Sequence, residues 1–386
     1  MALPSTGVIT AEMINAELGR SANAPFSLND TAVRALAGKA SGAISFADLR
    51  GKSSEIVKYV TASRGSVGIK DYFTEEEWAS DTAKRLVINS GVEIGDTWNY
   101  AALEIQTSSR TQAQSFKNAL ILENNGFISG RGGAGNSGNG GTALIAHILG
   151  RDGQKLQIRN NGTIRGGGGG GGRGGNGGTG GNGVYSSQST VREPSSGENY
   201  AQGSTFWEYS PGWGNARVVW GGSVLGAVWP ATATSMAFGG WTYFRGGQRR
   251  SWYDDDGAQY IEYGIYRTGT TTVNNYTTGG GGGAGGNGGQ GEGYGQVRTS
   301  GFNGAAGSSG GANAGAGGQG GWGGQGGKWG AAGETGVAGS AGAAGNNGGG
   351  AAGAGGAGGG AAGCYIDGAS RVTWLATGTR QGRSIN

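Results

Sequence analysis

Glycine recurs at every third residue over long stretches of this chain, and that period constrains the fold more than any other feature. Between 315 and 348 all twelve such positions are glycine. The period also runs through 132, 135, 138 and 141 and through 279, 282, 285, 288 and 291; between 166 and 183 it tightens to Gly-Gly-X. A flexible linker has no reason to keep a period and favours serine, which is scarce in these tracts. Three residues per turn is the repeat of an extended left-handed helix that rises about 3.1 Å per residue and makes no hydrogen bonds within itself. Glycine at every third position gives such a helix one bare edge, along which a neighbour's backbone can come close enough to exchange N–H···O=C bonds. Gly-Gly-X gives two bare edges, as an interior helix needs. Ordering glycine is entropically expensive, so only mutual bonding between helices offsets it, and the tracts are expected to be bundled polyglycine II helices. Composition alone, 93 glycines in 386 residues, would read as disorder. Five prolines are too few for collagen.

Around the tracts the composition changes sharply. Residues 1–54 carry short helices marked by their caps: Thr10 before 11–18, Ser27 and Asn29 before 30–37, and Ser45 with Asp48 at capping-box spacing, stopped by Gly19, Gly38 and Gly51. The large apolar groups here are few, a thin core for an independent module, so it is expected to dock on something else. Residues 55–123 read as β-rich, with strand-like runs at 85–89 and 102–107 and a capped helical turn at 74–78. Residues 120–130 and 156–166 are two copies of one unit at an offset of 36: a strand, Asn-Asn-Gly, a short apolar pair, then glycine. Asn-Gly at those places is the signature of a tight hairpin turn with positive φ. The expected fold is thus mostly β and irregular. It comprises a helical module (1–54), a β-rich domain (55–123), strand–turn repeats entering the first tracts (124–183), an aromatic-rich β insertion (184–278), the main polyglycine II bundle (279–363) and a C-terminal strand (364–386).

Much chemistry is excluded. One cysteine rules out a disulfide framework and one histidine a histidine-based metal cluster, so neither metal nor cofactor is expected. His147 stands in an apolar run, where a structural role outweighs a catalytic one. Asp254, Asp255 and Asp256 lack the spacing of a calcium loop. The many G-x-G-x-x-G matches follow no strand and open no α-helix, so they carry no dinucleotide reading. Candidate glycosidase carboxylates (Glu193, Glu198, Glu208, Asp254, Asp255, Asp256 and Glu262) have no separation legible in sequence, and no enzyme is expected. A net charge of +4 without a basic patch argues against nucleic acid. There is no apolar run of membrane-spanning length, and the N-terminus lacks the features of a secretory signal, so synthesis in a cytosol is expected.

The insertion is the best binding candidate. Residues 184–278 hold 18 aromatics, more than a core of that size needs, so some are expected to be exposed. Trp207, Trp213, Trp229, Trp241, Trp252 and Tyr253 are the candidates for stacking on a ligand, with Arg245, Arg249 and Arg250 placed to pair with phosphate. Trp322 and Trp329, seven residues apart in a glycine tract, are expected at a bundle edge or tip.

Residues 4–54, from Pro4-Ser5-Thr6-Gly7 to Phe46-Ala47-Asp48-Leu49-Arg50-Gly51, resemble the N-terminal module of tail fibre and tail tip proteins of tailed bacteriophages. The Asn-Asn-Gly repeats running into glycine and the ending Val372-Thr373-Trp374-Leu375-Ala376-Thr377-Gly378 are similar to glycine-rich phage tail proteins, and the tracts resemble the polyglycine II sandwich of fibre-tip adhesins. The resemblance implies a virion component that reads a bacterial outer-membrane protein or lipopolysaccharide. It also implies attachment to other tail proteins through residues 1–54, with Leu18, Phe26, Leu36, Phe46 and Leu49 as contacts, and a homotrimer, the usual state of phage fibres. The alternatives are a purely structural tail protein and an ice-binding polyglycine II protein.

Overall fold

The computed structural model describes residues 3–96, 101–105, 115–198, 206–210, 215–225, 229–230 and 232–386. These form two compact units, one of residues 1–181 and 279–386, the other of 182–278.

The first unit begins with two short helices, α1 (Ala11–Glu17) and α2 (Thr31–Ala37), and a 3-10 turn at Phe46–Leu49. Thr10 caps α1 by accepting from the Met13 amide. The cap of α2 is Asp30 rather than Ser27 or Asn29: its carboxylate accepts from the Ala32 amide and pairs with Arg20 at 2.7 Å. Gly38 ends α2 in the left-handed region. Ile14, Val33 and Leu49 fill a small core. Leu49 is fully buried there, which removes it from any surface for a partner; Phe26 and Phe46 lie ring to ring at 5.8 Å on the outside of that core.

Glu17 ties this module to the chain that follows. Its carboxylate accepts from the Ser53 hydroxyl and the Ser54 amide at 2.9 and 2.7 Å. Burial alone would raise its pKa, but these hydrogen bonds outweigh burial and hold it below the ordinary glutamate range. A carboxyl whose folded pKa is depressed stabilises the fold above its unfolded value, about 4.3, and that contribution is lost as pH falls through the folded value. Protease cleavage within residues 1–54 should therefore rise below pH 4 in the intact protein. The Glu17→Gln variant should be cleaved faster at neutral pH and lose the pH step; an identical pH step in that variant would show that Glu17 does not hold the module.

From residue 55 the chain coils into a three-sided stack of parallel strands. The strands are β1 (Glu55–Val60), β2 (Val67–Gly68), β3 (Ala83–Ile88), β4 (Glu93–Gly95), β5 (Ala101–Glu104), β6 (Leu120–Asn124), β7 (Phe127–Ser129), β8 (Thr142–Ile145), β9 (Leu156–Asn160) and β10 (Thr163–Arg165). One sheet is β1-β3-β6-β9 and ends in Val372–Ala376; a second is β4-β7-β10 and ends in Thr379–Gln381; the third is β2-β5-β8 and ends in Cys364–Asp367 and Arg383–Ile385. All neighbours are parallel, so each coil of the chain lies on the one before it. Inward residues stack in columns: Leu86, Leu122 and Ile158; Ile94, Ile128 and Ile164; Leu103, Leu144 and Ile366. The 36-residue repeat is the step from one coil to the next, and the C-terminal strands complete the same stack.

The Asn-Asn-Gly segments are therefore corners between sheets, not hairpin turns. Neither Gly126 nor Gly162 has positive φ. Glycine is needed there because a Cβ on Gly126 would sit 2.1 Å from the Val92 carbonyl oxygen, and one on Gly162 2.1 Å from that of Gly126. The asparagines form ladders. Buried Asn124 donates to Asn160 at 2.8 Å, and Asn160 in turn donates to the Thr377 carbonyl at 2.9 Å. Asn161 donates to Asn125 at 2.9 Å. These bonds satisfy polar groups that a solenoid corner buries.

The glycine tracts leave this stack and return to it, and they bond to one another every third residue. The tract at 166–182 is central. Gly168, Gly171, Gly174, Gly177 and Gly180 donate to the tract at 280–292, running antiparallel; Gly169, Gly172, Gly175, Gly178 and Gly181 donate to the parallel tract at 331–343. The tracts at 315–327 and 351–363 donate back to it from two further directions. Backbone contact on several sides explains Gly-Gly-X: a Cβ on Gly171 would lie 1.9 Å from Gly324 O, and one on Gly172 1.9 Å from Ala357 O.

Candidate functional site

The described residues of 182–278 form one sheet built around a long hairpin, β17 (Trp241–Tyr253) and β18 (Gln259–Thr277). β11 (Gly183–Glu193) runs antiparallel to the outer half of β18, so the segment enters and leaves side by side, with Gly183 opposite Thr277. β12 (Phe206–Tyr209) pairs with the other half of β18, followed by β13 (Asn215–Trp220) with β14 (Ser223–Val224) and β15 (Trp229–Pro230) on it; β16 (Ser235–Phe238) flanks β17.

The arginines and aromatics of this sheet are paired with each other. The Arg267 guanidinium lies 4.0 Å from the Trp241 ring centre and 4.4 Å from that of Trp220, donates to the Tyr243 hydroxyl at 3.1 Å, and is paired to Glu193 at 2.9 Å. Phe244 stacks on Tyr266 and Trp252 on Tyr260, at 4.9 and 5.5 Å. Arg250 covers Trp252 and donates to buried Glu262 at 2.8 Å. Arg249 pairs with Glu198 at 2.8 Å, and Arg245 lies over Tyr263. Glu208 stands directly opposite Glu262 across the β12–β18 pairing. Burial pushes the Glu208 carboxyl above its ordinary range; Arg217 pulls it back and the Glu262 charge adds to the rise.

The predicted binding residues thus separate. Trp207 is fully buried in the core with Val218 and Ile265, a correction to its reading as a contact. Trp241 packs on that core. Arg249 and Arg250 are matched by their own carboxylates, so they are not bare phosphate ligands. Tyr253, 69% exposed, is at the surface, joined by Tyr276 at 72%, which sequence reasoning missed. Trp213 lies outside the described residues, as does the side chain of Trp229. In the glycine tracts the ring of Trp329 is covered by Arg165 at 3.8 Å, whereas Trp322 is exposed. His147 follows β8 and its Nε2 lies 2.7 Å from an Asp367 carboxylate oxygen, on the surface.

Residues 55–228 match the family described as phage tail fibre adhesin Gp38. Over those residues the chain is similar to that family. The matched residues take in β1 to β10 of the coiled stack, the first tracts and part of the sheet unit. The crystal structure of the gp37–gp38 adhesin tip complex of the bacteriophage S16 long tail fiber aligns with 98% of this chain and 98% of its own chain, at 16% identity and a TM-score of 0.33, too distant to carry geometry across. No curated protein matches the chain.

Proposed function

We propose that the protein is a phage tail fibre tip adhesin that reads an outer-membrane protein or lipopolysaccharide on the host through the sheet unit at 182–278, held on a scaffold of polyglycine II helices. The exposed Tyr253 and Tyr276 carry the proposal: stiff, exposed aromatic surface is typical of recognition sites. Hydrogen bonds between tracts at every third residue support the helix type. Residues 1–54 serve attachment, with exposed Phe46 and half-buried Leu18, Phe26 and Leu36 as contacts in place of Leu49. The S16 complex is named for an adhesin with a gp37 fibre protein, and a fibre protein is the partner proposed here.

The test is adsorption of purified protein to host cells. Replacing Tyr253 and Tyr276 together by alanine should lower binding about tenfold or more, while heat unfolding stays where it was. Unchanged binding by that variant, with the intact protein bound, would move the site off this sheet; no binding by the intact protein would remove the receptor reading itself.

A further inference from the structure

The flank of the glycine tracts carries a second aromatic surface, distinct from the sheet unit. The tracts at 315–328 and 331–344 run antiparallel and bond in register: Glu334 donates to Gln325, Val337 to Trp322, Ser340 to Gln319 and Ala343 to Ala316, each through backbone at 2.8–2.9 Å. Two large apolar side chains therefore stand side by side across the boundary, and both face solvent: Trp322 is 55% exposed and Val337 58%. The neighbouring rows are polar. On one side the Gln319 amide and Ser340 hydroxyl are adjacent, the hydroxyl accepting from the Gln319 backbone at 2.7 Å. On the other, Gln325 and Glu334 are both engaged by Arg298, at 2.7 and 3.5 Å, so the charges there are matched internally.

We propose that Trp322 is the platform of a glycan subsite that takes an uncharged hexose of the host's surface polysaccharide, with Val337 beside the ring and Gln319 and Gln325 as hydrogen-bond partners. A sugar presents an apolar C–H face and a rim of hydroxyls, and here an indole lies between carboxamides one helical turn away on either side. The charges nearest Trp322 are Arg298 and Glu334, which face each other, while exposed Lys328 stands two turns along the row, so the platform itself fits a neutral saccharide better than the phosphates of a lipopolysaccharide core. The backbone beneath is fixed by bonds to its neighbours on several sides, so little ordering entropy is spent on binding. The proposal rests on the adhesin reading but names a different surface from Tyr253 and Tyr276.

The experiment is saturation-transfer NMR on the full chain with two probes: uncharged oligosaccharides of glucose, galactose and mannose, and host O-polysaccharide freed of lipid A and phosphate. Signal transfer to at least one probe is expected. It should weaken about tenfold in Trp322→Ala and less in Trp322→Phe and Gln319→Ala. No transfer to either probe, or transfer unchanged in Trp322→Ala, would overturn the subsite, as would a concentration-dependent dimer that disappears in that variant, because the face would then join two copies. Host-cell adsorption measured in parallel separates the two readings: intact protein that adsorbs but transfers to neither probe loses only the glycan subsite, whereas protein that does not adsorb loses the receptor reading.

Discussion

Gly171→Ala should destabilise the glycine scaffold by about 3–5 kcal/mol or prevent soluble folding, while Gly355→Ala should leave stability unchanged or raise it by about 0.4–1 kcal/mol. Both are glycines of the same composition class in the same unit. A Cβ on Gly171 would stand 1.9 Å from Gly324 O, in the middle of a bonded array, and the oxygen cannot withdraw without breaking the bond it accepts from the Gly289 amide. A Cβ on Gly355 meets nothing within 4 Å, and its φ is not positive. An added methyl there only reduces the freedom of the unfolded chain. Urea unfolding of the two variants beside the parent is the measurement. Equal effects would mean that the tracts are not held by the close backbone contacts described.

Arg267→Ala is expected to unfold the sheet unit by about 2–4 kcal/mol and to abolish host adsorption with it. The guanidinium joins β18 to the end of β11 through Glu193, to β17 through Trp241 and Tyr243, and to β13 through Trp220. Lysine keeps the charge but lacks the planar fork that pairs with Glu193 while lying against two indoles, so Arg267→Lys should recover only part of the loss. Near-ultraviolet circular dichroism follows the tryptophan environment directly. A variant with the parent's aromatic spectrum and melting curve would show that the sheet does not depend on this residue.

The helix caps at Thr10 and Ser45 were legible because a cap is a bond between residues two or three apart. The cap of α2 falls on Asp30, not Ser27 or Asn29, because three capping residue types stand within four positions and only the fold, which also pairs Asp30 with Arg20 ten residues away, selects among them. The Asn-Asn-Gly repeat was recognised as a unit but assigned to a hairpin, since the same three residues suit a positive-φ turn and a solenoid corner. What separates the two is the carbonyl of the coil below, contributed by Val92 or Gly126. Candidate binding residues fared similarly. Aromatic enrichment marked the sheet unit, yet Trp207 became its core and Tyr276 its surface, because which face of a strand is covered depends on the neighbouring strands.

The sequence by itself determined that the tracts repeat every three residues, that they need bare edges and that one of them must be interior. Those demands act on every turn of one chain and are written at every turn. Tertiary structure alone decided which tract lies beside which, that the C-terminal strands finish the coil begun before the tracts, and which aromatic faces solvent. Each of these depends on partners far apart in the chain, as Gly171 bonds to Gly289 and Val372 lies against Leu156. A local pattern carries no record of such pairings, since many arrangements of equivalent glycine edges satisfy it equally well.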